Sequence, residues 1–202
     1  YLVDSANNRI LKYSKSGVLQ ATWGSAGAGD GQFDAPADIA IGPSGKFYVI
    51  EGGNSRVQVL NSNGDYERQF AIPTGRGQSI AVDSNEDIYV SGDARTGPWY
   101  SYDWNPYLRK YDSSANFNLL IEISAGKGRD DGEFWWAADD LVVDSNDYLY
   151  AVDQGNNRVQ KFDSAGQFDL KIGGTGPGNY GAGSTDGQFD QPRAIALDAS
   201  NN

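Results

Sequence analysis

A strand–turn–strand unit recurs along this chain, and it restricts the fold more than any other feature of the sequence. In its clearest copy, residues 150–162, apolar side chains alternate with others on both sides of the polar turn 155–157. Alternation with a period of two is typical of β-strands, and Gly and Asn tolerate the positive φ of tight turns. The sequence therefore predicts β-hairpins in tandem. The other copies lie at 1–13 and 48–60, with a longer one at 89–111.

Each hairpin stands between two further strand-like segments, so that a repeat holds four predicted strands, which we name a, b, c and d in chain order. Strand a is an apolar run, strands b and c form the hairpin, and strand d is amphipathic. The turn arginines Arg9, Arg56, Arg109 and Arg158 are 47, 53 and 49 residues apart. Four strands in a repeat of this length predict a propeller blade. The a strands are 38–42, 79–83, 140–144 and 194–198, and the d strands are 18–23, 65–70, 116–123 and 167–172.

We therefore predict an all-β fold, a β-propeller of four-stranded antiparallel blades, with four blades in residues 1–202 as one domain. The chain begins on strand b and ends on strand a, which makes sixteen predicted strands. The last of them, 194–198, could complete the first blade and hide two sheet edges. The alternative is that 1–202 is an excerpt of a longer chain. Strand a, which lies nearest the hub, is expected to be buried on both faces, whereas apolar and polar residues alternate along strands c and d.

Composition excludes several classes of partner and site. The net charge is −11, which argues against nucleic acid, because phosphate binding requires clustered Lys and Arg. No apolar run is long enough for membrane insertion. Cys and His are absent, so thiolate and imidazole metal sites are ruled out. Abundant Gly, Asn, Ser, Asp and Tyr with few Lys is more typical of an extracellular or cell-surface protein.

Two motifs of this chain resemble the NHL-repeat β-propeller family. They are Asp-Gly-Gln-Phe with a following Pro, at 29–36 and 186–192, and the hairpin unit at 150–162. The resemblance covers nearly the whole chain and implies propeller blades. NHL propellers usually have six blades, so four is a departure, and residues 74–79 lack the Asp-Gly-Gln-Phe element. Some six-bladed relatives are lyases or lactonases, which implies as an alternative a hydrolase or lyase with a calcium-assisted central site.

Two charged patterns have a structural interpretation as well as a functional one. The turn arginine follows an acid in the hairpins, as Arg56 follows Glu51, and we interpret the pair as a tie within the blade rather than an anion receptor. Residues 83–87 place oxygen ligands at alternate positions, as a calcium loop does, but they also suit a tight a–b turn.

Aromatic residues interrupt the repeat in two places. An insertion at 92–107 holds five of them in nine positions, and the connection into the fourth repeat has Trp135-Trp136 in place of the pairs Ala35-Pro36 and Gln191-Pro192. In a propeller, b–c turns and d–a connections lie on the same face, so the two groups are expected to be neighbours. Such a cluster suits stacking on sugar rings or anchoring a protein, although it could also be a lid over its own minicore. The predicted ligand-binding residues are Trp99, Tyr100, Tyr102, Trp104, Tyr107, Trp135 and Trp136.

We accordingly predict a non-enzymatic extracellular module that binds or assembles. Its expected partners are a protein or a glycan, contacted through these aromatic residues, or further copies of the chain in a polymer or surface layer. No catalytic residue, metal ligand or cofactor is predicted, because no His or Cys is present and Asp139 and Asp140 point to opposite faces of a strand.

Overall fold

The computed structural model describes residues 1–96, 103–124, 126–174 and 181–198, and these form one three-stranded and three four-stranded antiparallel sheets. Each sheet is one blade, with its strands in chain order. The all-β propeller prediction is thereby confirmed. Blade 1 contains β1 (Leu2–Asp4), β2 (Arg9–Tyr13) and β3 (Leu19–Trp23); blade 2 contains β4 (Pro36–Ile41), β5 (Phe47–Glu51), β6 (Arg56–Leu60) and β7 (Tyr66–Ala71). Blade 3 contains β8 (Gly75–Val82), β9 (Ile88–Thr96), β10 (Asp103–Tyr111) and β11 (Leu119–Glu122); blade 4 contains β12 (Leu141–Val143), β13 (Leu149–Asp153), β14 (Arg158–Phe162) and β15 (Phe168–Gly173).

The b–c turns of blades 1 and 4 share one geometry that their sequence dictates. A single 3-10 turn, Ser5–Asn7 or Gln154–Asn156, leads into an asparagine with left-handed backbone, Asn8 at φ 53° or Asn157 at φ 55°. Asn adopts this region more readily than other residues with a side chain. None of the helices in the part of the chain that the structure describes is long and apolar enough to cross a membrane.

The expected sixteenth strand is not formed, and the first blade keeps three strands among the described residues. The segment 194–198 instead lies beside the innermost strand of blade 4, where the backbone N–H of Ile195 donates to Asp140 at 2.9 Å. Blade 3 sits on blade 2 in the same way, because the N–H of Ile80 donates to Asp38 at 3.0 Å. The last segment therefore occupies the inner position of a following blade, which corrects the prediction that it completes the first.

Burial within a blade also differs from expectation. In blade 2 every residue of β5 and β6 is buried, whereas in the innermost strand β4 only Pro36 is. The middle strands have sheet neighbours on both edges and a blade against each face, so they lose all contact with solvent. The innermost strand has one edge toward the axis. The prediction that strand a is the most buried, and that c alternates, is therefore wrong for this blade.

The apolar core lies between blades rather than within one. Ile10 of blade 1 packs with Phe47 and Val49 of blade 2 around Phe33, and Phe134 fills the corresponding place between blades 3 and 4. Both phenylalanines are 1% exposed and precede strand a, so each fills the space between two adjacent blades. Full burial of each such side chain contributes about 1.5–3 kcal/mol to folding.

Arg56 ties its hairpin to the connection that enters blade 2. Its Nε lies 2.7 Å from Glu51, which is completely buried, and its Nη atoms donate to the carbonyl oxygens of Ala28, Gly29 and Gln32 at 2.8–3.1 Å. Four N–H donors of one planar group thus join a turn and a connection, and the fifth donates to Gln69 on β7 at 2.6 Å. Arg158 repeats this arrangement in blade 4, with its Nε at 2.8 Å from Asp153. These contacts support the structural interpretation of the turn arginines.

In blade 3 the position of the turn arginine belongs to Tyr107, not to Arg109. The strand registers align Tyr107 with Arg56, and Gly92 stands opposite it where Glu51 stands opposite Arg56. Arg109 pairs instead with Glu122 on the outermost strand, at 2.5 Å. The connection into blade 3 is only the segment between β7 and β8 and lacks the Asp-Gly-Gln-Phe carbonyls that a guanidinium would bind. An apolar pair therefore replaces the ionic one.

The a–b turn at Asp83 is held by its own side chain. One carboxylate oxygen accepts from the backbone N–H groups of Asn85 and Asp87, each at 2.9 Å, and the other lies 2.9 Å from the ammonium of Lys110. The turn interpretation thus accounts for both oxygens of Asp83, and Lys110 supplies the positive charge beside Asp83 and Asp87. The alternating oxygens of 83–87 have a structural explanation.

Asp139 lies where the connection into blade 4 meets the hub. Burial, together with the nearby carboxylates of Asp153 and Asp93, raises its pKa from the ordinary 3.8 to about 6, against the opposing effect of Arg193. The folded chain therefore retains a proton on Asp139 between about pH 4 and 6 that the unfolded chain releases. The stability that Asp139 contributes is complete below pH 3.8 and is lost as the pH rises through 6.

We expect Arg56→Ala to lower the free energy of unfolding by about 3–5 kcal/mol, because it leaves the Glu51 carboxylate buried without a counter-charge. Arg9→Ala is the matched control, since Arg9 makes the same ion pair with Asp4 but its side chain is 41% exposed. It should cost less than about 1 kcal/mol. Urea unfolding followed by tryptophan fluorescence measures both, and equal losses would contradict a special role for the buried tie.

Asp139→Asn should make stability less dependent on pH. The variant cannot lose a proton at this site, so its melting temperature relative to the parent should be higher near pH 7 than near pH 4. Thermal unfolding at both pH values, with the parent as reference, isolates the contribution of Asp139 from other titrating groups. A difference between variant and parent that is the same at both pH values would show that Asp139 titrates normally.

Candidate functional site

The insertion in the third repeat is mostly sheet. It lengthens β9 and β10 to nine residues each, paired from Tyr111 with Ile88 at one end to Asp103 with Thr96 at the other. The expected loop is therefore a protruding hairpin whose base belongs to blade 3. Of the predicted site residues, Trp99, Tyr100 and Tyr102 fall between these strands and lie outside the described residues.

Tyr107 does not reach the surface. It is 4% exposed and packs in the core between blades 2 and 3. Gly92 stands opposite Tyr107 on the neighbouring strand, and a Cβ at Gly92 would collide with the Tyr107 hydroxyl group. Gly92 therefore leaves the space that the ring fills, and burial raises the pKa of Tyr107. Tyr107 is thus a core residue, contrary to the prediction that it belongs to a ligand-binding surface.

Trp104 is half-buried at the base of the hairpin. The guanidinium of Arg76, on β8, lies 5.2 Å from the centre of its indole ring. An arginine at this distance is attracted by the negative face of the ring and limits its rotation. Trp104 is thus held in place and remains partly accessible, as a residue of a binding face must be.

Among the described residues of the predicted site, Trp136 is the most accessible, and it lies beside Trp135. Their rings meet edge to face with centres 6.4 Å apart, and Trp136 is 47% exposed. The pair packs on the b–c turn of blade 4, since a Cβ on Gly155 would lie 2.9 Å from atoms of both tryptophans. Asn156 of that turn donates to the carbonyl of Gly128 in the connection, at 3.0 Å. Turn and connection therefore share one face, as predicted.

The hairpin and the Trp pair are joined through Asp93. Its carboxylate accepts from the backbone N–H of Ala137 at 3.1 Å, which brings β9 against the connection into blade 4. Burial raises the pKa of Asp93, with Lys127 and Arg76 opposing the shift. The hairpin and the connection that carry the two aromatic groups are thus in contact, as predicted. We call the surface formed by Trp104, Trp135 and Trp136 the aromatic face.

The structure aligns the Trp pair differently from the sequence. The N–H groups of Gly27, Gly128 and Gly183 each donate at 3.0 Å to the carbonyl of the Phe six residues later, so the three connections are equivalent. Trp135 and Trp136 therefore stand where the other two have Asp34-Ala35 and Asp190-Gln191. Sequence comparison had matched them one residue further along, to the pairs that end in Pro.

Two cations beside the Trp pair were missed from the sequence. The ammonium of Lys127 lies 5.4 Å and 5.2 Å from the ring centres of Trp135 and Trp136, and the guanidinium of Arg129 lies 5.0 Å from that of Trp135. Both cations are exposed. The sequence does hold a signal for them, because the equivalent positions in the connection into blade 2 are Ala26 and Ala28. The aromatic face is therefore bordered by positive as well as negative charge.

A small cavity opens beside the same turn. It measures about 190 Å³ and is lined by Arg129, Asn156, Arg158, Lys171 and Gly174. Blade 2 has a cavity of about 420 Å³ at the corresponding place, lined by residues that include Ala28, Asn54, Arg56 and Gln69. Within the described ranges there is no group of three or more Asp, Glu, His or Cys side chains arranged to hold a metal ion. The described side chains of this site can therefore stack on a ligand, form hydrogen bonds with it and pair with its charges.

Comparison with known proteins agrees with the repeat pattern. A family model of the NHL repeat matches residues 33–60. The human NHL repeat-containing protein 3 is 30% identical over 66 residues, which are 31% of this chain and 19% of that protein. The matched region thus includes at least one whole b–c hairpin, that of blade 2.

Solved structures with the same fold share little sequence. Virginiamycin B lyase from Staphylococcus aureus superposes with a TM-score of 0.58 at 17% identity, covering 88% of this chain and 52% of the lyase. The RRP9 WD40 repeats give 0.60 at 13% identity, covering 84% and 46%. The chain thus spans about half the length of these structures, and at such identities the likeness is one of fold. The blade register and the matched segment together identify a β-propeller fold that contains an NHL repeat at residues 33–60.

Proposed function

We propose that this chain is a non-enzymatic binding module of an extracellular or cell-surface protein, and that it holds a glycan on the aromatic face. The observation that carries the proposal is the Trp pair. Trp136 leaves 47% of its surface exposed on a rigid connection, where two of the three equivalent connections carry Asp and a small or polar residue. A fixed, accessible indole offers a sugar ring a flat apolar surface at little cost in entropy.

The aromatic face also suits a protein partner, because exposed Trp is typical of the centres of protein interfaces. The glycan is preferred because the accessible aromatic area among the described residues is small and lies beside a narrow cavity rather than on a broad apolar surface. A standard protein interface requires about 800 Å² on each partner. A single exposed indole with neighbouring polar groups fits one or two sugar units better.

A hydrolase or lyase with a central calcium site is the alternative that the family resemblance implies. Two lyases are among the proteins that share the fold, at 17% and 14% identity, and similarity at that level extends to the fold alone. In the part of the chain that the structure describes, no cluster of carboxylates faces the hub in a metal-binding arrangement. No specific feature of this chain favours the enzymatic alternative over binding.

Self-association is a second candidate, supported by the outer face of blade 1. Strand pairing places Leu2, Tyr13 and Leu19 on one side of the sheet, opposite the side that packs on blade 2. They are 53%, 42% and 50% exposed. An apolar sheet face of this kind is suited to cover a similar face of another copy.

Replacing the Trp pair with the blade 2 residues, Trp135→Asp with Trp136→Ala, should abolish glycan binding and leave the fold intact. The connection into blade 2 folds with Asp34 and Ala35 at these positions, so the change removes the indoles without removing an essential contact. Affinity electrophoresis in gels that contain single polysaccharides measures binding, and circular dichroism checks the fold.

Ile41→Ala is the control for this experiment, because Ile41 is 52% exposed but lies at the other end of strand a, next to the a–b turn. It should leave retention unchanged. Equal retention of the parent and the double Trp variant, or no retention of the parent in any polysaccharide, would contradict the proposed glycan site.

If blade 1 mediates self-association, the parent chain should form dimers or larger species as its concentration rises, and Leu2→Lys with Leu19→Lys should keep it monomeric. Charges on the face would have to be desolvated in the interface, which is costly. Sedimentation velocity at several concentrations measures the effect. A parent chain that stays monomeric at all of them would contradict this second function.

A further inference from the structure

The connection into blade 4 differs from its equivalents in charge as well as in its tryptophans. At the position of Lys127 the other two connections have Ala26 and Ala182, and at the position of Arg129 they have Ala28 and Ser184. Their backbone hydrogen bonds are the same, so the fold accepts small neutral residues at both places. The two cations are therefore not required by the architecture of the blade.

A third cation approaches the same place from the outer strand of blade 4. Lys171 pairs with Gln160, just as Gln69 pairs with Gln58 in blade 2, so that Lys171 replaces a neutral residue. It is exposed and lines the cavity of about 190 Å³ together with Arg129. Its ammonium lies 2.7 Å from Asp131, which compensates part of its charge. Relative to blade 2, this place thus gains the positive charges of Lys127, Arg129 and Lys171.

The wall of this cavity also contains an acceptor without a donor. Asn156 is 4% exposed, and its amide nitrogen donates to Asp153 and Gly128, which fixes the orientation of the amide group. Its oxygen has no hydrogen-bond partner among the described residues. A buried amide oxygen is stabilised when it accepts a hydrogen bond. Because this oxygen has almost no exposed surface, it belongs to the support of the cavity and is not a contact for a ligand.

We infer that the aromatic face selects an acidic polysaccharide, one whose sugars carry carboxylate groups. The inference rests on the proposed glycan site and specifies its ligand. A uronic acid combines the two features that this place can recognise, a ring face for Trp136 and a carboxylate for Lys127 and Arg129. Charge-assisted hydrogen bonds to a carboxylate are roughly twice as strong as neutral ones.

The net charge of −11 does not oppose such binding at physiological salt. Charges further away than about 10 Å are largely screened at 0.1 M ionic strength, so the polysaccharide responds mainly to the charges at the site, the three cations and the neighbouring Asp130 and Asp131. Binding should therefore weaken only gradually as salt rises from physiological values. At low salt the repulsion by the rest of the acidic surface extends further, and the affinity should not increase as it does for a basic protein.

The test compares polygalacturonate with a neutral polysaccharide, dextran, and with poly-glutamate, using the whole chain in isothermal titration calorimetry. We expect binding of polygalacturonate, and about tenfold weaker binding for Lys127→Ala with Arg129→Ala, which restores the residues of the blade 2 connection. Lys15→Ala with Lys46→Ala removes the same charge elsewhere and should change the affinity less than about twofold, because those sites are remote.

Each other outcome has a definite meaning. Binding of dextran that is lost with the tryptophans but unaffected by Lys127→Ala with Arg129→Ala would overturn the acidic ligand and retain the proposed glycan site. Equal binding of poly-glutamate would overturn a sugar and indicate an acidic peptide. Equal loss in the Lys15→Ala with Lys46→Ala control would show that overall charge, not this site, determines binding, and would overturn the inference.

Discussion

The structure depends on a guanidinium buried between a hairpin turn and the connection that enters the same blade. Arg56 and Arg158 each neutralise a fully buried carboxylate and satisfy backbone carbonyls of the connection. Removing either partner would leave a charge in the protein interior. The connection is thereby fixed on the turn, and its remaining side chains are free to vary. This freedom explains how the connection into blade 4 carries Trp135 and Trp136 while that into blade 2 does not.

Blade 3 shows what happens where the connection is short. Without the carbonyls of an Asp-Gly-Gln-Phe segment, an arginine at the position of Tyr107 would have few acceptors. A buried acid at the position of Gly92 would then face a poorly fixed counter-charge. The pair is replaced by an aromatic ring over Gly92, which buries apolar surface instead of charge. In the same blade β9 and β10 extend beyond the usual turn. The longer hairpin and the loss of the buried ion pair thus occur together in blade 3.

The proposed binding site consists of side chains of the connection that do not take part in the Arg158 interactions. Lys127, Arg129 and Trp136 project from a connection whose backbone the guanidinium of Arg158 holds, through the carbonyls of Asp130 and Glu133, each at 2.8 Å. A ligand would therefore meet side chains on a fixed backbone and would pay little of the usual cost of ordering a loop. The Asp139 carboxylate nearby, with its pKa of about 6, gives the same region a dependence on mildly acidic pH.

The sequence by itself determined the blades, because alternation of apolar residues and the spacing of turns are local properties that repetition makes visible. It also indicated the Trp pair as a departure and placed the hairpin turns and connections on one face. Tertiary structure alone decided that Tyr107 is buried over Gly92, that 194–198 lies beside blade 4, and that Lys127, Arg129 and Lys171 gather around one turn. Each of these depends on packing between strands and blades distant in sequence, where burial and charge are settled by neighbours that no local pattern specifies.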